Sequence, residues 1–356
     1  MKPLEFTGDA ARDRTPPAAF YTDSANLRSE FERVFARSWQ LVGHAGQLAT
    51  DGDFFTANIG HEPLLLVNDA GTLRGFFNVC RHRAGPIATG CGRQRVFSCR
   101  YHGWTYDRSG QLLRAPGMEG VVDFDPRTIS LEKVLVHRWG HLVFATLDPA
   151  TPPFAEFHAD LLARSAELGI ESLRHVRSHT YEVKANWKLY IDNFLEGYHI
   201  PLVHPALNRS IEFDHYVTTL GRNHTLQHAP VREGGNFKRA NGEGAWYFWL
   251  FPNTMLNIFQ GQLQANVVIP DGVDRCRVRF DWFAPEPLPD LESDPRWIDL
   301  MRVADQVQAE DAGICEAVQR NIASRAYTPG PYSMAHEQGV HYFHSLLRNP
   351  SSKQGA

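Results

Sequence analysis

The chain has 356 residues, of which 43% are apolar and 21% are charged, and its formal net charge is −4. This length is sufficient for one large hydrophobic core or two separate ones. The net negative charge argues against a nucleic-acid-binding protein, which usually carries an excess of basic residues. No apolar run approaches the roughly 20 residues that cross a bilayer.

The N-terminal sequence is polar and lacks the apolar centre of a signal peptide, so we expect a cytoplasmic protein. Five cysteines are too few and too scattered for a disulfide framework. Three of them, Cys80, Cys91 and Cys99, fall within twenty residues. This clustering favours metal binding.

The pattern of apolar residues predicts two parts of different character. Residues 24–39 have helical periodicity with Ser24 as the expected N-cap, and residues 40–148 contain short β-rich runs interrupted by glycine. A proline-rich linker is expected at 148–157. Beyond it the pattern predicts strands and three helices, at 157–169, near 184–200 and near 295–324. A small β domain followed by an α+β domain is therefore expected.

Four metal-binding side chains lie close together in the β-rich part. Cys80 and His82 form a C-x-H pair, and sixteen residues later Cys99 and His102 form a C-x2-H pair. A structural zinc site is the simplest alternative, but such sites usually pair cysteines as C-x2-C and histidines as H-x3–5-H. The mixed pairs match a Rieske [2Fe–2S] cluster, which has two thiolates on one iron and two imidazoles on the other.

The sequence CRHRAG…CRYHGWTYDRSGQL resembles the Rieske domain of the ring-hydroxylating α-subunit family of non-haem iron oxygenases. The resemblance implies an α+β fold, with a small antiparallel β Rieske domain and a helix-grip-like catalytic domain containing an antiparallel sheet and long helices. The expected divisions are an N-terminal segment (1–39) that packs on the catalytic domain, the Rieske domain (40–148) and the catalytic domain (149–356). Arg100 stands where the family commonly has proline, and Cys91 is expected to be a free thiol.

A second candidate metal site lies in NWKLYIDNFLEGYHIPLVHPAL, residues 186–207. Glu196 and His199 are three residues apart and would share a helix face. His204 would lie about 140° from His199 on a regular helix. Pro201 should end or kink the helix, so that His204 can turn back towards His199. The alternative is a core helix with incidental histidines.

Two histidines require a carboxylate to complete the facial triad that binds non-haem Fe(II). In the predicted long helix, positions spaced alternately four and three apart form one stripe: Leu300, Ala304, Val307, Asp311, Ile314 and Val318. Asp311 is the single charge in this apolar stripe, and a buried carboxylate needs a partner or a metal. Glu310 lies about 100° away and is expected to be solvated, but it remains the alternative ligand.

The family resemblance also implies a role for Glu196. Glu196 would bridge His199 to His102 of a neighbouring subunit in a ring-shaped homo-oligomer, commonly a trimer. Asp192 and Asn193 are candidates to support the iron site, although Asp192 could equally be solvated. The chain lacks a complete GxGxxG motif and the C-x4-C-x2-C run of plant-type ferredoxins. A separate NAD(P)H-dependent flavin or ferredoxin reductase is therefore implied.

The substrate is indicated by the C-terminal part of the sequence. EDAGICEAVQRNIAS…YTPGPYSMAHEQGVHYFHSLLRN resembles the branch containing choline monooxygenase, glycine betaine monooxygenase and stachydrine demethylase, which act on small quaternary amines. The run WYFWLF could bind such a cation through Trp246 and Phe248 or through Tyr247 and Trp249, unless it is simply a buried strand. Hydroxylation of an aromatic acid and a non-catalytic Rieske electron carrier are the alternatives.

Overall fold

The computed structural model describes residues 6–232, 244–259 and 261–348. The chain divides into two compact units, one formed by Phe35–Pro152 and the other by Met1–Val34 together with Pro153–Ala356. Among the described residues, no helix combines the length and the apolar character needed to cross a membrane.

The Phe35–Pro152 unit is built from antiparallel strands. They are β1 (Gln40–His44), β2 (Asp53–Ile59), β3 (Glu62–Asp69), β4 (Thr72–Phe77), β5 (Cys91–Arg93), β6 (Val96–Ser98), β7 (Thr105–Asp107), β8 (Leu112–Arg114), β9 (Lys133–Trp139) and β10 (Leu142–Thr146). One sheet has the order β1-β10-β9-β4-β3-β2-β5, and a smaller sheet has the order β6-β7-β8. Short 3-10 turns lie at Phe35–Arg37, Ala45–Leu48 and Pro126–Thr128.

The core of this unit contains residues from both sheets. Phe54 and Leu65 of the larger sheet are buried in one cluster with Phe97 and Tyr106 of the smaller sheet. The same cluster contains Cys80 and Cys99, which are 4% and 2% exposed. The two cysteines therefore lie at the edge of a packed core, where water has little access to sulfur.

The second unit contains one antiparallel sheet of seven strands among its described residues. They are β11 (Arg174–Val183), β12 (Val217–Gly221), β13 (His224–Ala229), β14 (Ala245–Leu250), β15 (Thr254–Phe259), β16 (Gln262–Pro270) and β17 (Cys276–Ala284). The strand order is β11-β17-β16-β15-β14-β13-β12, so each strand from β12 to β17 pairs with its neighbour in sequence. The expected α+β fold is confirmed.

The second unit also contains the helices of the described chain. They are α1 (Ala19–Thr22), α2 (Ser24–Arg33), α3 (Phe154–Phe157), α4 (Ala159–Leu168), α5 (Trp187–Phe194), α6 (Ile200–Val203), α7 (Pro205–Ser210), α8 (Pro295–Ile322) and α9 (Gln338–Arg348). Short 3-10 turns lie at Ile170–Ser172 and Phe213–His215. The long helix expected near 295–324 is therefore present as α8, and α3 lies within the segment expected to be a linker.

The N-terminal helix α2 differs from the prediction at both ends. Asp23 caps it, because the Asp23 side chain accepts a hydrogen bond of 2.8 Å from the backbone N–H of Ala25. Ser24 is already the first helical residue, and the helix ends at Arg33 instead of continuing to residue 39. The prediction of Ser24 as the cap was wrong because the neighbouring carboxylate forms that bond.

A buried ion pair joins α2 to α5 within the second unit. Lys188 is fully buried, and its Nζ lies 2.5 Å from Oε1 of Glu30. The other carboxylate oxygen of Glu30 accepts a hydrogen bond of 2.8 Å from Nε1 of Trp187. Burial lowers the pKa of Lys188, while the charge of Glu30 opposes this effect. The pair fixes the start of the helix that leads to the candidate iron site.

The expected helix through residues 184–200 is divided in two. Helix α5 ends at Phe194, and residues 195–199 form a turn before α6 begins at Ile200. Pro201 lies in the first turn of α6, where its missing N–H costs nothing. The chain therefore turns before the proline, and Glu196 and His199 are brought together by a tight turn instead of a helix face.

Candidate active site

The [2Fe–2S] ligands predicted from the sequence lie on two loops of the Phe35–Pro152 unit. One loop follows β4 and carries Cys80 and His82, and the other links β6 to β7 and carries Cys99 and His102. The imidazole rings of His82 and His102 lie with their centroids 4.6 Å apart. All four side chains thus belong to the tips of two facing loops.

Backbone hydrogen bonds hold both loops. The N–H of Cys80 donates to the carbonyl of Gly85, and the N–H of Cys99 donates to the carbonyl of Trp104, each at 2.9 Å. Gly103 has a φ of 73°, which favours glycine. A Cβ at Gly85 would lie 2.8 Å from Sγ of Cys99, so only glycine leaves room beside the sulfur.

The surroundings of these four side chains fit a Rieske cluster. Nδ1 of His82 is buried and has no hydrogen-bond partner among the described residues, as expected of a nitrogen that binds a metal. Desolvation and the neighbouring His82 and Arg83 lower the pKa of His102, which favours the neutral imidazole that a metal requires. The hydroxyl of Tyr106 lies 3.4 Å from Sγ of Cys80, where it can donate a hydrogen bond to a thiolate.

Cys91 lies outside this group. It is exposed on β5, where it pairs in register with Phe55 of β2, and its thiol is free. It is therefore not joined in a disulfide with any of the described cysteines.

The second candidate site brings together His199, His204 and Asp311. Their donor atoms all lie within 4.8 Å of one another, and they are the one such group of three among the residues that the structure describes. Oδ1 of Asp311 lies 2.9 Å from Nε2 of His204 and 3.6 Å from Nε2 of His199. This carboxylate comes from α8, whereas both histidines flank α6.

A carboxylate behind each imidazole fixes which nitrogen faces Asp311. Oε1 of Glu196 lies 2.7 Å from Nδ1 of His199, and Oε2 of Glu310 lies 2.7 Å from Nδ1 of His204. Each Nδ1 can therefore donate to a carboxylate and leave Nε2 with a free lone pair. Two imidazoles and one carboxylate with open space beside them match the donor set of a non-haem Fe(II) centre.

The charges around His204 act on its ionisation. Burial lowers the pKa of His204, but its hydrogen bonds and Coulomb interactions with Asp311 and Glu310 outweigh this effect and raise the pKa. The site therefore attracts positive charge, whether a proton or a metal ion.

The surroundings of Glu310 also differ from those expected from the sequence. It was expected to be solvated, but its side chain is 25% exposed and holds Nδ1 of His204. It lies outside the three-residue group that contains Asp311. The 100° offset from Asp311 was correctly derived, but it places Glu310 beside the buried ring of His204 instead of in solvent.

The neighbouring residues Asp192 and Asn193 have different surroundings. Nδ2 of Asn193 donates a hydrogen bond of 2.6 Å to Oδ1 of Asp311, so it orients the carboxylate directly. Asp192 accepts a hydrogen bond of 2.8 Å from the hydroxyl of Tyr21, and Nε2 of His344 lies 2.9 Å from its other oxygen. Asp192 is therefore neither solvated nor in contact with the three donor residues; it connects α5 with the N-terminal segment and α9.

The apolar stripe predicted on α8 agrees only in part with the face of the helix that is buried in the structure. Leu300, Ala304, Val307 and Asp311 line the cavity described below. Ile314 and Val318 are 39% and 40% exposed, because the buried face of α8 continues through Cys315 and Ile322 instead.

A cavity of about 150 Å³ adjoins the three donor residues. Helices α5, α6 and α8 form one side of it, and inward-facing residues of the sheet form the other. Its aromatic lining consists of Tyr190, Phe194, Tyr216, Tyr247, Phe280 and Trp282. Of the described lining residues, none is Lys or Arg.

Of the four aromatic residues predicted for the pocket, Tyr247 lines the cavity. Trp246 points to the other face of β14 and packs beside His228, with ring centroids 4.5 Å apart. Phe248 and Trp249 are fully buried, and Nε1 of Trp249 donates to the carbonyl of Pro252. Side chains alternate between the two faces of β14, and the side chains at the end of the strand are buried. Of the expected aromatic residues on this strand, Tyr247 alone therefore lines the cavity.

Sequence comparison matches both units to known families. Residues 38–125 match the Rieske [2Fe-2S] domain, and residues 170–350 match the ring hydroxylating alpha subunit (catalytic domain). The second match, which covers the His199–His204–Asp311 group, excludes the alternative of a non-catalytic electron carrier.

The chain is 35% identical over 356 residues to the chloroplastic choline monooxygenase of Arabidopsis thaliana, covering 95% of this chain and 83% of the relative. It is 32% identical over 362 residues to the carnitine monooxygenase oxygenase subunit of Escherichia coli K12, covering 97% and 96%. A solved quaternary ammonium Rieske monooxygenase superimposes with a TM-score of 0.89 at 27% identity, covering 98% and 99%. The chain therefore belongs to the ring-hydroxylating α-subunit family of Rieske oxygenases, and it is an oxygenase whose cofactors are a [2Fe–2S] cluster and a mononuclear iron.

Proposed function

We propose that this protein is the terminal oxygenase of a multicomponent system that hydroxylates or N-demethylates a small quaternary or tertiary amine. The observation that carries the proposal is the cavity beside His199, His204 and Asp311, which has an aromatic lining and no cationic side chain among its described residues. A cation in such a cavity gains from aromatic faces and meets no charge repulsion from Lys or Arg. The relatives named for choline and carnitine support the same substrate class.

In this proposal Cys80, His82, Cys99 and His102 hold the cluster. His199, His204 and Asp311 hold Fe(II), and iron bound there supplies the reductive activation of O2. Monooxygenation places one oxygen atom in the substrate and reduces the other to water with two electrons and two protons. Insertion into an N-methyl C–H bond gives a carbinolamine, which breaks down to formaldehyde and the demethylated amine.

The protein's own side chains prepare this reaction. Glu196 and Glu310 hold the Nδ1 protons of the two histidines, so that both Nε2 atoms face the same point. Asn193 holds Asp311 in position from α5. The apolar residues of the cavity exclude water, which would limit side reactions at the iron site.

We also propose that the active assembly is a homo-oligomer, with a trimer expected. Glu196 would connect His199 to His102 of a neighbouring subunit and provide a hydrogen-bonded route between the two metal centres. Two contacts between Glu196 and His199 support this role. Oε2 of Glu196 accepts a hydrogen bond from the backbone N–H of His199, and Oε1 lies beside Nδ1 of the same residue. A separate NAD(P)H-dependent flavin or ferredoxin reductase would supply the electrons.

A cytoplasmic location is part of the proposal, and fractionation of cells with an antibody against the protein tests it. The plant relatives are named as chloroplastic.

The decisive experiment is a substrate screen with a competent reductase. Oxygen uptake and formaldehyde release are measured in parallel with choline, carnitine, betaines and aromatic acids. Coupled oxygen uptake with an amine is the expected result. Coupled turnover of an aromatic acid, with every amine rejected, would replace the substrate class and leave the oxygenase assignment intact.

A further inference from the structure

A row of side chains crosses the sheet beneath the cavity at one register. Gln227 of β13 pairs with Tyr247 of β14, which pairs with Asn257 of β15. Asn257 pairs in turn with Gln264 of β16, which pairs with Trp282 of β17. Residues opposite one another in antiparallel strands point to the same face of the sheet. All five line the cavity, so two neighbouring amides lie between two aromatic rings.

The amides in this cavity fall into two kinds. Gln227 is fully used by the fold, since it accepts from the hydroxyl of Tyr216 at 2.9 Å and donates to the carbonyl of Phe194 at 2.7 Å. Asn257 and Gln264 share one hydrogen bond of 2.8 Å, and their remaining Oδ1 and Nε2 atoms are buried without a partner among the described residues. Reversing both amides would exchange the atoms but would still leave one donor and one acceptor.

Two further amides have the same property. Gln308 of α8 accepts a hydrogen bond from the hydroxyl of Tyr190, and its Nε2 is buried with no partner among the described residues. Oδ1 of Asn266, two residues beyond Gln264 on the same strand face, is also without one. Buried amide atoms are normally hydrogen-bonded in native proteins. Seven amide atoms are buried without a partner among the described residues, and four of them belong to residues that line this one cavity, which points to a polar ligand.

The charges of the cavity restrict what this ligand can be. Its charged lining residues, apart from the histidines, are Glu196 and Asp311, and the described lining contains no Lys or Arg. A carboxylate placed against the amides would lose its hydration without gaining a cationic partner. A hydroxyl has both a donor and an acceptor, as the free atoms of Asn257 and Gln264 do, and it carries no charge to desolvate.

We propose that Asn257 and Gln264, together with Gln308, form a subsite for the hydroxyl end of an amino alcohol, so that the substrate is a quaternary ammonium alcohol and not a betaine carboxylate. This inference rests on the proposed function, because it specifies the amine substrate of the same cavity. Trp282 lies one strand from Gln264, at the usual separation of about 4.8 Å. A ligand that places its ammonium on this ring and its hydroxyl on the amides has a short alkyl link between them.

The test measures binding to the oxidised holoenzyme without reductase, so that no turnover occurs. Dissociation constants are determined by calorimetry for choline, for tetramethylammonium, which lacks the hydroxyl, and for glycine betaine, which has a carboxylate. In the wild type we expect choline to bind about tenfold more tightly than tetramethylammonium, because one buried hydrogen bond is made. Choline should also bind more tightly than glycine betaine.

Gln264→Leu should weaken choline binding about tenfold and change tetramethylammonium binding less than about twofold. Gln262→Leu is the matched control, since Gln262 lies two residues away on the same strand but does not line the cavity, and it should change neither constant. Gln308→Met tests the subsite from the helix side if Gln264→Leu does not fold. The visible absorbance of the cluster reports an intact protein.

Equal loss of choline and tetramethylammonium binding in Gln264→Leu would overturn the subsite. Tighter binding of glycine betaine than of choline by the wild type would overturn the preference for an alcohol. If none of the three ligands binds, a quaternary ammonium alcohol is refuted as the substrate, whereas the proposed amine class is refuted by the substrate screen described above. Binding of tetramethylammonium with no preference for choline would refute only the hydroxyl subsite.

Discussion

Glu310 and Asp311 are adjacent in sequence but should respond differently to substitution. Asp311 faces the Nε2 atoms of both histidines, whereas Glu310 lies on the far side of the His204 ring, 2.7 Å from its Nδ1. Asp311→Ala should remove an iron ligand and with it the mononuclear iron. Glu310→Gln should keep the ligand set but lose the negative charge behind His204.

The size of the Glu310 effect follows from this position. Carboxylates that hold a metal-binding imidazole contribute about 10- to 100-fold in metal affinity or activity, or about 1.4–2.7 kcal/mol. Glu310 also accepts a hydrogen bond of 3.0 Å from Gln306, so its replacement by glutamine disturbs one more contact on the surface of α8. We therefore expect Glu310→Gln to bind iron about tenfold or more weakly and to retain residual turnover.

The assay is iron content after cluster reconstitution, combined with competition by a chelator. The wild type should contain about three irons per chain, two of them in the cluster. Asp311→Ala should contain about two with unchanged cluster absorbance. Glu316→Gln, the same change on α8, serves as the control, because Glu316 instead accepts from the backbone N–H of Lys184. Retention of the third iron by Asp311→Ala and its loss from Glu310→Ala would refute the assignment.

Three further results are expected. After the mononuclear site has been saturated with Fe(II), Glu196→Gln should slow the reoxidation of the reduced cluster in a single turnover with substrate and O2. Tyr106→Phe should lower the reduction potential of the cluster, measured by redox titration, because it removes a hydrogen bond to Sγ of Cys80. Glu30→Ala should reduce the free energy of unfolding by about 3–5 kcal/mol, measured with urea, because Lys188 would remain buried without its partner.

Each of these predictions has a result that contradicts it. Normal reoxidation in Glu196→Gln would exclude the bridging role, and an unchanged potential in Tyr106→Phe would show that its hydroxyl does not bind the sulfur. For the ion pair, Glu32→Ala is the control, because Glu32 is exposed on the same helix. Equal stability of the two variants would show that Lys188 finds another partner or loses its proton.

The candidate metal ligands could be predicted because their signals are local. Cys80 and His82 lie two residues apart, and each pair of cluster ligands needs only one short loop to present it. Asp311 was identified from a regular helix, in which the angle between side chains follows from their separation in sequence. Such short-range geometry can be predicted from the sequence, and α8 is a regular helix over the whole stripe that contains Asp311.

Contacts between residues that are far apart in sequence could be identified only from the tertiary structure. The contact of Glu310 with His204 joins residues 106 positions apart, so no local period could distinguish it from a solvated glutamate. The same holds for the amides beneath the cavity: Asn257 and Gln264 become neighbours only through the register of β15 and β16. Ligand types and their spacing are local, so the chemistry that the chain carries could be predicted from the sequence. The side chains that support this chemistry and the ligands that the cavity can bind depend on how strands and helices meet, so they had to be identified from the folded structure.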